Sequence, residues 1–306
     1  MRIVRQSLRH ALVRLTLASC LVGGVLIASA AAHPGSGIVV DRQGLIYFLD
    51  TGRGVWKLDP KTGKLEPHDG PPFHWMAIDP DSRFKGIRFP STGSDLKAIG
   101  ENPTLIASSD FPIAMGPDGA LYYPASGSDE RVQVTKITPD KQRTVLATLP
   151  ATSDGGPLKW LNGMTAGPDG SIYYTENKSV RKIDPKGTLS TVAANVSVPK
   201  CAPPPSYADA HLLPNLRGLA VAGDGTVYVA ASGCAALLKI APGGKVTTIL
   251  HTTPSPWTPT GVAVSGDTLY VLEYLHNASE DRASWVPRIR KITSDGKDTL
   301  LATVSR

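Results

Sequence analysis

The sequence is poor in aromatic residues and in cysteine. Phe, Trp and Tyr make up 6% of its 306 residues, and it has three cysteines. Glycine and proline are abundant instead, with 30 and 26 residues. Few large side chains combined with many turn formers predict a fold of short strands joined by tight turns.

A hydrophobic run long enough to span a bilayer is also missing. The main apolar run, residues 15–27, is shorter than the about 20 residues of a membrane-spanning helix. Four arginines precede it and three alanines, 30–32, follow it, which is typical of a secretory signal peptide. We therefore expect residues 1–32 to be removed by cleavage near Ala32, and the protein to be secreted or periplasmic. A lipoprotein cleavage box ending at Cys20 remains an alternative.

The mature chain lacks a large excess of charge of one sign. Residues 1–32 hold four arginines and no acidic residue, which leaves 28 basic against 26 acidic residues. A nucleic-acid partner would require a clustered basic face, and none is indicated. We expect a monomer without a transmembrane anchor. Cys201 and Cys234 are an even pair in a compartment that permits disulfides.

Six repeat units determine the predicted fold class. Five of them have an apolar strand, a Gly-rich turn and a β-branched or aromatic strand, followed by a second hairpin. Four strands per unit predict an all-β, six-bladed β-propeller with four antiparallel strands per blade, as one domain over residues 33–306. The second unit is degenerate, with DLKAIG and PTLIAS as plausible outer strands. The predicted first strands begin at Ser36, His74, Phe111, Asn162, Arg217 and Thr260.

One face of such a propeller should carry the function. The turns within hairpins are short, whereas the connections between the second and third strands and between blades are long. We call these the turn face and the loop face, and function concentrates on loops held by a rigid scaffold. A disulfide between Cys201 and Cys234 is expected to clamp the loop face. The aromatic residues there line a predicted ligand pocket or pack the loops down: Trp75, Trp160, Trp257, Trp285 and Tyr274.

Aligning the repeats predicts a polar ring at the channel mouth. It combines the candidate catalytic residues Glu176, His74 and Glu273 with the candidate ligand-binding residues Asn162, Arg217 and Asp50. Carboxylates and histidine suit acid–base chemistry, and arginine suits an anion. Two structural roles remain open: Arg217 could pair with Glu176, and Asp50 could cap a turn. The repeated lysines are expected on a solvated face of the third strands: Lys57, Lys136, Lys182, Lys239 and Lys291.

The whole mature chain resembles NHL-repeat, gluconolactonase-like (senescence marker protein-like) and streptogramin-lyase-type propellers. LNGMTAGPDGSIYYTEN is the most similar stretch. In the gluconolactonase type, the asparagine matching Asn162 helps to bind a divalent metal. Here Phe111 and Arg217 stand where that type has other ligands, so this metal site is incomplete. No metal site and no cofactor are predicted, and a divalent metal remains an alternative.

The lyase type pairs a histidine at the mouth with a glutamate fourteen residues further on. In this chain His74 is followed at that distance by Arg88, and Glu176 is preceded by Asn162. Three functions therefore stay open. The first is a propeller that binds a small molecule, glycan or peptide at the loop face. The alternatives are a hydrolase or lyase at the same face, and a protein-interaction scaffold.

Overall fold

The computed structural model describes residues 34–86, 96–127, 131–151, 158, 161–201, 203–204, 212–252, 257–275 and 284–306. The predicted signal peptide and Trp160 lie outside this part. Within it no α-helix is present, and no helix could cross a membrane.

Six antiparallel sheets form the blades of a β-propeller, as predicted. Blade one contains β1 (Ile38–Val40), β2 (Ile46–Asp50), β3 (Gly54–Leu58) and β4 (Leu65–His68), and blade two contains β5 (Trp75–Asp79), β6 (Leu96–Ile99) and β7 (Thr104–Ser108). Blade three contains β8 (Ala114–Met115), β9 (Leu121–Ser126), β10 (Val132–Ile137) and β11 (Arg143–Thr148), and blade four contains β12 (Gly163–Ala166), β13 (Ile172–Thr175), β14 (Val180–Ile183) and β15 (Leu189–Ala193). Blade five contains β16 (Leu216–Val221), β17 (Val227–Ala231), β18 (Ala236–Ile240) and β19 (Val246–His251), and blade six contains β20 (Trp257–Ser265), β21 (Thr268–Leu275), β22 (Val286–Ile292) and β23 (Asp298–Thr303).

The innermost strands begin within three residues of the predicted positions. They are followed by the predicted tight turns, in which the glycine of each Asp-Gly pair adopts a positive φ, as at Gly170 (+78°) and Gly225 (+82°). In five blades the order from the channel outward follows the chain, so each of these blades is completed by its own segment.

Blade two differs from the prediction in the order of its strands. Its described residues form three strands in the order β5-β7-β6, so 104–108 is the second strand and not an outer one. The reason is hydrophobicity: every residue of Thr104–Ser108 is buried, whereas Leu96–Ile99 is half exposed. The more apolar strand takes the central position because burial of apolar surface drives packing.

Glycines at the start of the innermost strands let neighbouring blades approach closely. A Cβ on Gly163 would overlap the carbonyl oxygen of Arg217, and one on Gly261 would overlap that of Ser36. A Cβ on Gly218 would lie 2.8 Å from the carbonyl oxygen of Thr260. These contacts link blades four, five, six and one in succession around the channel.

Gly261→Ala is expected to lower the free energy of unfolding by about 1–3 kcal/mol, because its methyl group would press on backbone that cannot move aside. Gly223→Ala is the matched control, since a Cβ there meets nothing within 4 Å. It should raise stability by about 0.4–1 kcal/mol by restricting the unfolded chain. Urea unfolding of both variants measures the effects, and equal effects would show that these glycines do not determine blade spacing.

Ring closure between blades six and one uses side chains. The Tyr274 hydroxyl of blade six accepts a hydrogen bond from the backbone N–H of Thr51 at 3.1 Å and donates one to the carbonyl of Leu49. Arg306 donates two hydrogen bonds to the Asp50 carboxylate, each 2.8 Å long. Asp50 and Tyr274 are fully buried, so this junction is anchored inside the protein.

Two of the repeated lysines, Lys136 and Lys182, make specific contacts within their own blades. Lys136 and Lys182 each place Nζ within 2.8 Å of a turn carboxylate, that of Asp118 or Asp169. Each ammonium also lies over a tyrosine ring of the second strand. These hydrogen bonds raise the pKa of both lysines. The pattern therefore ties the first turn of each of these two blades to its third strand.

Candidate functional site

The predicted disulfide is present and clamps the loop face. Cys201 and Cys234 are bonded, with Cα atoms 4.6 Å apart. Cys201 follows blade four, and Cys234 lies in a 3₁₀ turn after β17. Cys234 is buried among the apolar residues that blades four and five share. The connection between these two blades is therefore attached covalently to blade five.

A central channel of about 250 Å³ is lined by the innermost strands of all six blades. Each of these strands pairs with one neighbour only, so its other edge faces the channel. An unpaired strand edge presents backbone N–H and C=O groups. The channel wall is therefore able to bind polar groups.

Four of the residues predicted at the mouth do converge there. Arg217 in blade five donates hydrogen bonds from Nε to the Ser36 hydroxyl at 3.4 Å and from Nη2 to the Pro34 carbonyl at 3.3 Å. Its guanidinium carbon lies 5.8 Å from the centre of the Trp75 ring in blade two. Blades five and two are opposite each other in a ring of six, so Arg217 reaches across the mouth.

His74 lies beside this group and joins blades one and two. Its carbonyl accepts hydrogen bonds from the N–H groups of Ser36 and Gly37, and its ring Nδ1 contacts the carbonyl of Ser109. The ring is 8% exposed. Its position fits a residue that shapes the mouth.

Glu273, one of the candidate catalytic residues, lies in a buried ion-pair network. Its carboxylate accepts hydrogen bonds from Nε of Arg288 and, at 2.9 Å, from Nε of Arg290. Glu273 is fully buried, and Arg288 stacks on the Trp257 ring with its guanidinium carbon 3.9 Å from the ring centre. Both oxygens of the Glu273 carboxylate are therefore held by arginine side chains.

Asp50 and Tyr274 belong to the junction of blades six and one. Asp50 accepts hydrogen bonds from Arg306 and, at 3.1 Å, from the indole N–H of Trp56. Burial raises the pKa of Tyr274 well above its usual value. Trp285, 1% exposed, lies beside this junction, where its carbonyl accepts a hydrogen bond from Arg306. The structure thus brings Asp50, Tyr274 and Trp285 together, and their polar groups are hydrogen-bonded to other residues of the protein.

Asn162 and Glu176 are neighbours at the loop-face end of blade four. Asn162 donates a hydrogen bond of 2.7 Å from Nδ2 to Oδ1 of Asn177, and Glu176 forms an ion pair with Arg181 at 3.2 Å. Burial and the nearby Glu176 charge raise the pKa of Tyr174 beyond its ordinary range. The Glu176 carboxylate is thus positioned by Arg181, a residue of the same blade.

The sequence did not predict the arginines that pair with the carboxylates of Glu273 and Glu176. Arg288 faces Glu273 directly across β21 and β22, and Arg181 is one residue beyond Val180, which faces Thr175. Pairing the second and third strands of blade six in register would have revealed Arg288, whereas Arg181 lies opposite Tyr174 and not opposite Glu176. The described residues contain no group of three potential metal ligands. The absence of a metal site stays a prediction, which calcium titration tests.

Comparison with solved structures confirms the predicted resemblance at the level of the fold. A streptogramin B lyase is 16% identical, with 91% of this chain and 86% of the lyase aligned and a TM-score of 0.50. A protein described as TolB from Agrobacterium tumefaciens is 14% identical over 81% of this chain and 87% of its own, with a TM-score of 0.51. A protein described as a gluconolactonase is 15% identical over 87% and 76%, with a TM-score of 0.42.

The likeness is one of fold. No protein-family model matches the sequence, and no curated protein matches it significantly. Unrelated activities share propeller folds, so the chemistry of this chain has to be argued from its own residues.

Proposed function

We propose that this chain is an exported binding propeller that holds a small molecule, glycan or peptide by an anionic or polar group at the loop-face mouth. The observation that carries the proposal is the position of Arg217, which reaches across the mouth from blade five to Ser36 and Trp75. A guanidinium beside an aromatic ring is a common anchor for carboxylates and other planar anions.

The state of the acidic residues supports binding over acid–base catalysis. Glu273, Glu176 and Asp50 each accept arginine contacts from within their own blade or the adjoining junction. The disulfide supports export, because such bonds persist in oxidising compartments.

Arg217→Gln is expected to weaken binding of an anionic ligand by about 10–150-fold, which corresponds to about 1.5–3 kcal/mol for hydrogen bonds to a charged group. The probes are small carboxylates, organic phosphates and neutral sugars, titrated by calorimetry into protein from which residues 1–32 have been removed. Arg42→Gln is the control, because Arg42 is exposed and pairs with Asp81 away from the mouth.

Two results would count against the proposal. Wild-type protein that binds no anionic probe has no anion site at the mouth, and equal affinities in the two variants would place the site elsewhere. Conversion of a bound probe into product would instead identify an enzyme, and the same variants would then be compared by kcat and KM.

A further inference from the structure

A second, larger cleft opens on the turn face, away from the proposed mouth site. It lies between blades four and five, has a volume of about 580 Å³ and is bordered by two turns of blade five. This volume is within the range of about 300–1,000 Å³ that is usual for small-molecule sites, and the channel is smaller.

One wall of the cleft consists of polar side chains of blade four. Lys182 donates a hydrogen bond of 2.8 Å to the Asp169 carboxylate, and its ammonium lies over the ring of Tyr173 at 5.3 Å. Ser190, which faces Lys182 across β14 and β15, adds a hydroxyl group. Lys182 and Asp169 hold each other in place, so this wall presents preorganised donors and acceptors.

The opposite wall is the nearly bare backbone of blade five. Gly223 and Gly243 lie in its two turns, and a Cβ on either would meet nothing within 4 Å. The corresponding turns of blade four carry Pro168 and Lys186 in the same hydrogen-bonded geometry. Blade five therefore has no side chains at the two turn positions where blade four has Pro168 and Lys186, which leaves room in the cleft.

The charges around the cleft balance. Asp169 pairs with Lys182, and Asp224 lies close enough to Lys239 to interact electrostatically. Each carboxylate oxygen of Asp224 accepts one described hydrogen bond, from the N–H or the hydroxyl of Thr226, and an ionised carboxylate oxygen has two lone pairs. Balanced charge with spare acceptors favours a neutral ligand rich in hydroxyl groups.

We infer that the cleft between blades four and five binds a neutral carbohydrate. Sugar hydroxyls donate to Asp224 and Asp169 and accept from Lys182 and Ser190, while the glycine turns admit the sugar ring. This site is independent of Arg217 and of any ligand at the loop face.

The test uses protein without residues 1–32 and a panel of neutral probes: glucose, galactose, mannose, N-acetylglucosamine and their β-1,4-linked dimers. Saturation-transfer NMR and calorimetry detect binding. The variant Gly243→Lys, alone and with Gly223→Pro, gives blade five the turn residues of blade four and should fold normally. It is expected to reduce affinity by about tenfold or more, because the new side chains occupy the cleft.

Arg217→Gln is the second comparison and should leave sugar binding unchanged, which separates this inference from the proposed function. Thermal melting of each variant checks the fold. The inference is overturned if no probe binds the wild type at millimolar concentration, or if Gly243→Lys binds as well as the wild type. Loss of binding in Arg217→Gln alone would assign the sugar to the loop face and overturn it equally.

Discussion

Glu273→Gln is expected to lower the free energy of unfolding by about 3–5 kcal/mol and the melting temperature by about 10 °C. The glutamate is fully buried, with Arg288 on one carboxylate oxygen and Arg290 on the other. Removing its charge leaves two largely buried guanidinium groups facing a neutral amide. Calorimetric melting at neutral pH measures the effect.

Glu66→Gln is the matched control. Glu66 also bridges two cations, Lys57 and Lys64, but its side chain is 30% exposed. Solvent already screens these pairs, so the melting temperature should stay near that of the wild type. If both variants melt alike, burial is not what makes the Glu273 network important, and a catalytic role for Glu273 would deserve kinetic tests.

Reduction of the Cys201–Cys234 disulfide is the second change with a large expected effect. The bonded residues are 33 positions apart, and closing a loop of that length is worth about 3–4 kcal/mol on the chain-entropy model. We expect the variant Cys201→Ser with Cys234→Ser, melted without reductant, to lose about that amount. Wild-type protein in reductant should approach the same melting temperature.

Mass spectrometry of exported, non-reduced protein provides the independent check. Alkylation should find no free thiol at Cys201 or Cys234. Two free thiols, or a double variant as stable as the wild type, would show that the clamp between blades four and five does not form in the cell.

The repeat predicted most of the fold because each blade is a local unit. Alternating apolar residues and Asp-Gly turns determine a hairpin within some fifteen residues, and Gly170 and Gly225 adopt the positive φ that such turns require. Blade two was harder, since its central strand, Thr104–Ser108, follows its outer strand in the chain. Pattern alone does not give that order, which depends on which strand is more completely buried.

The candidate site was predictable in part for the same reason. Position within the repeat predicts a common mouth for His74, Arg217 and Ser36, and the structure brings these three residues into contact. Their role in ligand binding stays a prediction. The ion-pair and hydrogen-bond partners of the site residues could not be predicted in this way, because they depend on contacts across strands or between distant segments. Asp50 and Arg306 are 256 residues apart in the chain, and only the closed ring brings them together.

The boundary between blades one and six, formed by Tyr274 with Leu49 and by Arg306 with Asp50, joins the two ends of the chain; we call it the seam. Five blades complete their hydrogen bonds in order along the chain, so most pairing is short-range and can form early in folding. Contacts such as the hydrogen bond from Tyr274 to Leu49 can form only when the first and last blades come together. The seam is therefore where the ring should close last and open first, and amide hydrogens beside it should exchange before those inside the blades. The ring of blades is therefore held closed at this boundary by the buried side chains of Asp50 and Tyr274, together with Arg306.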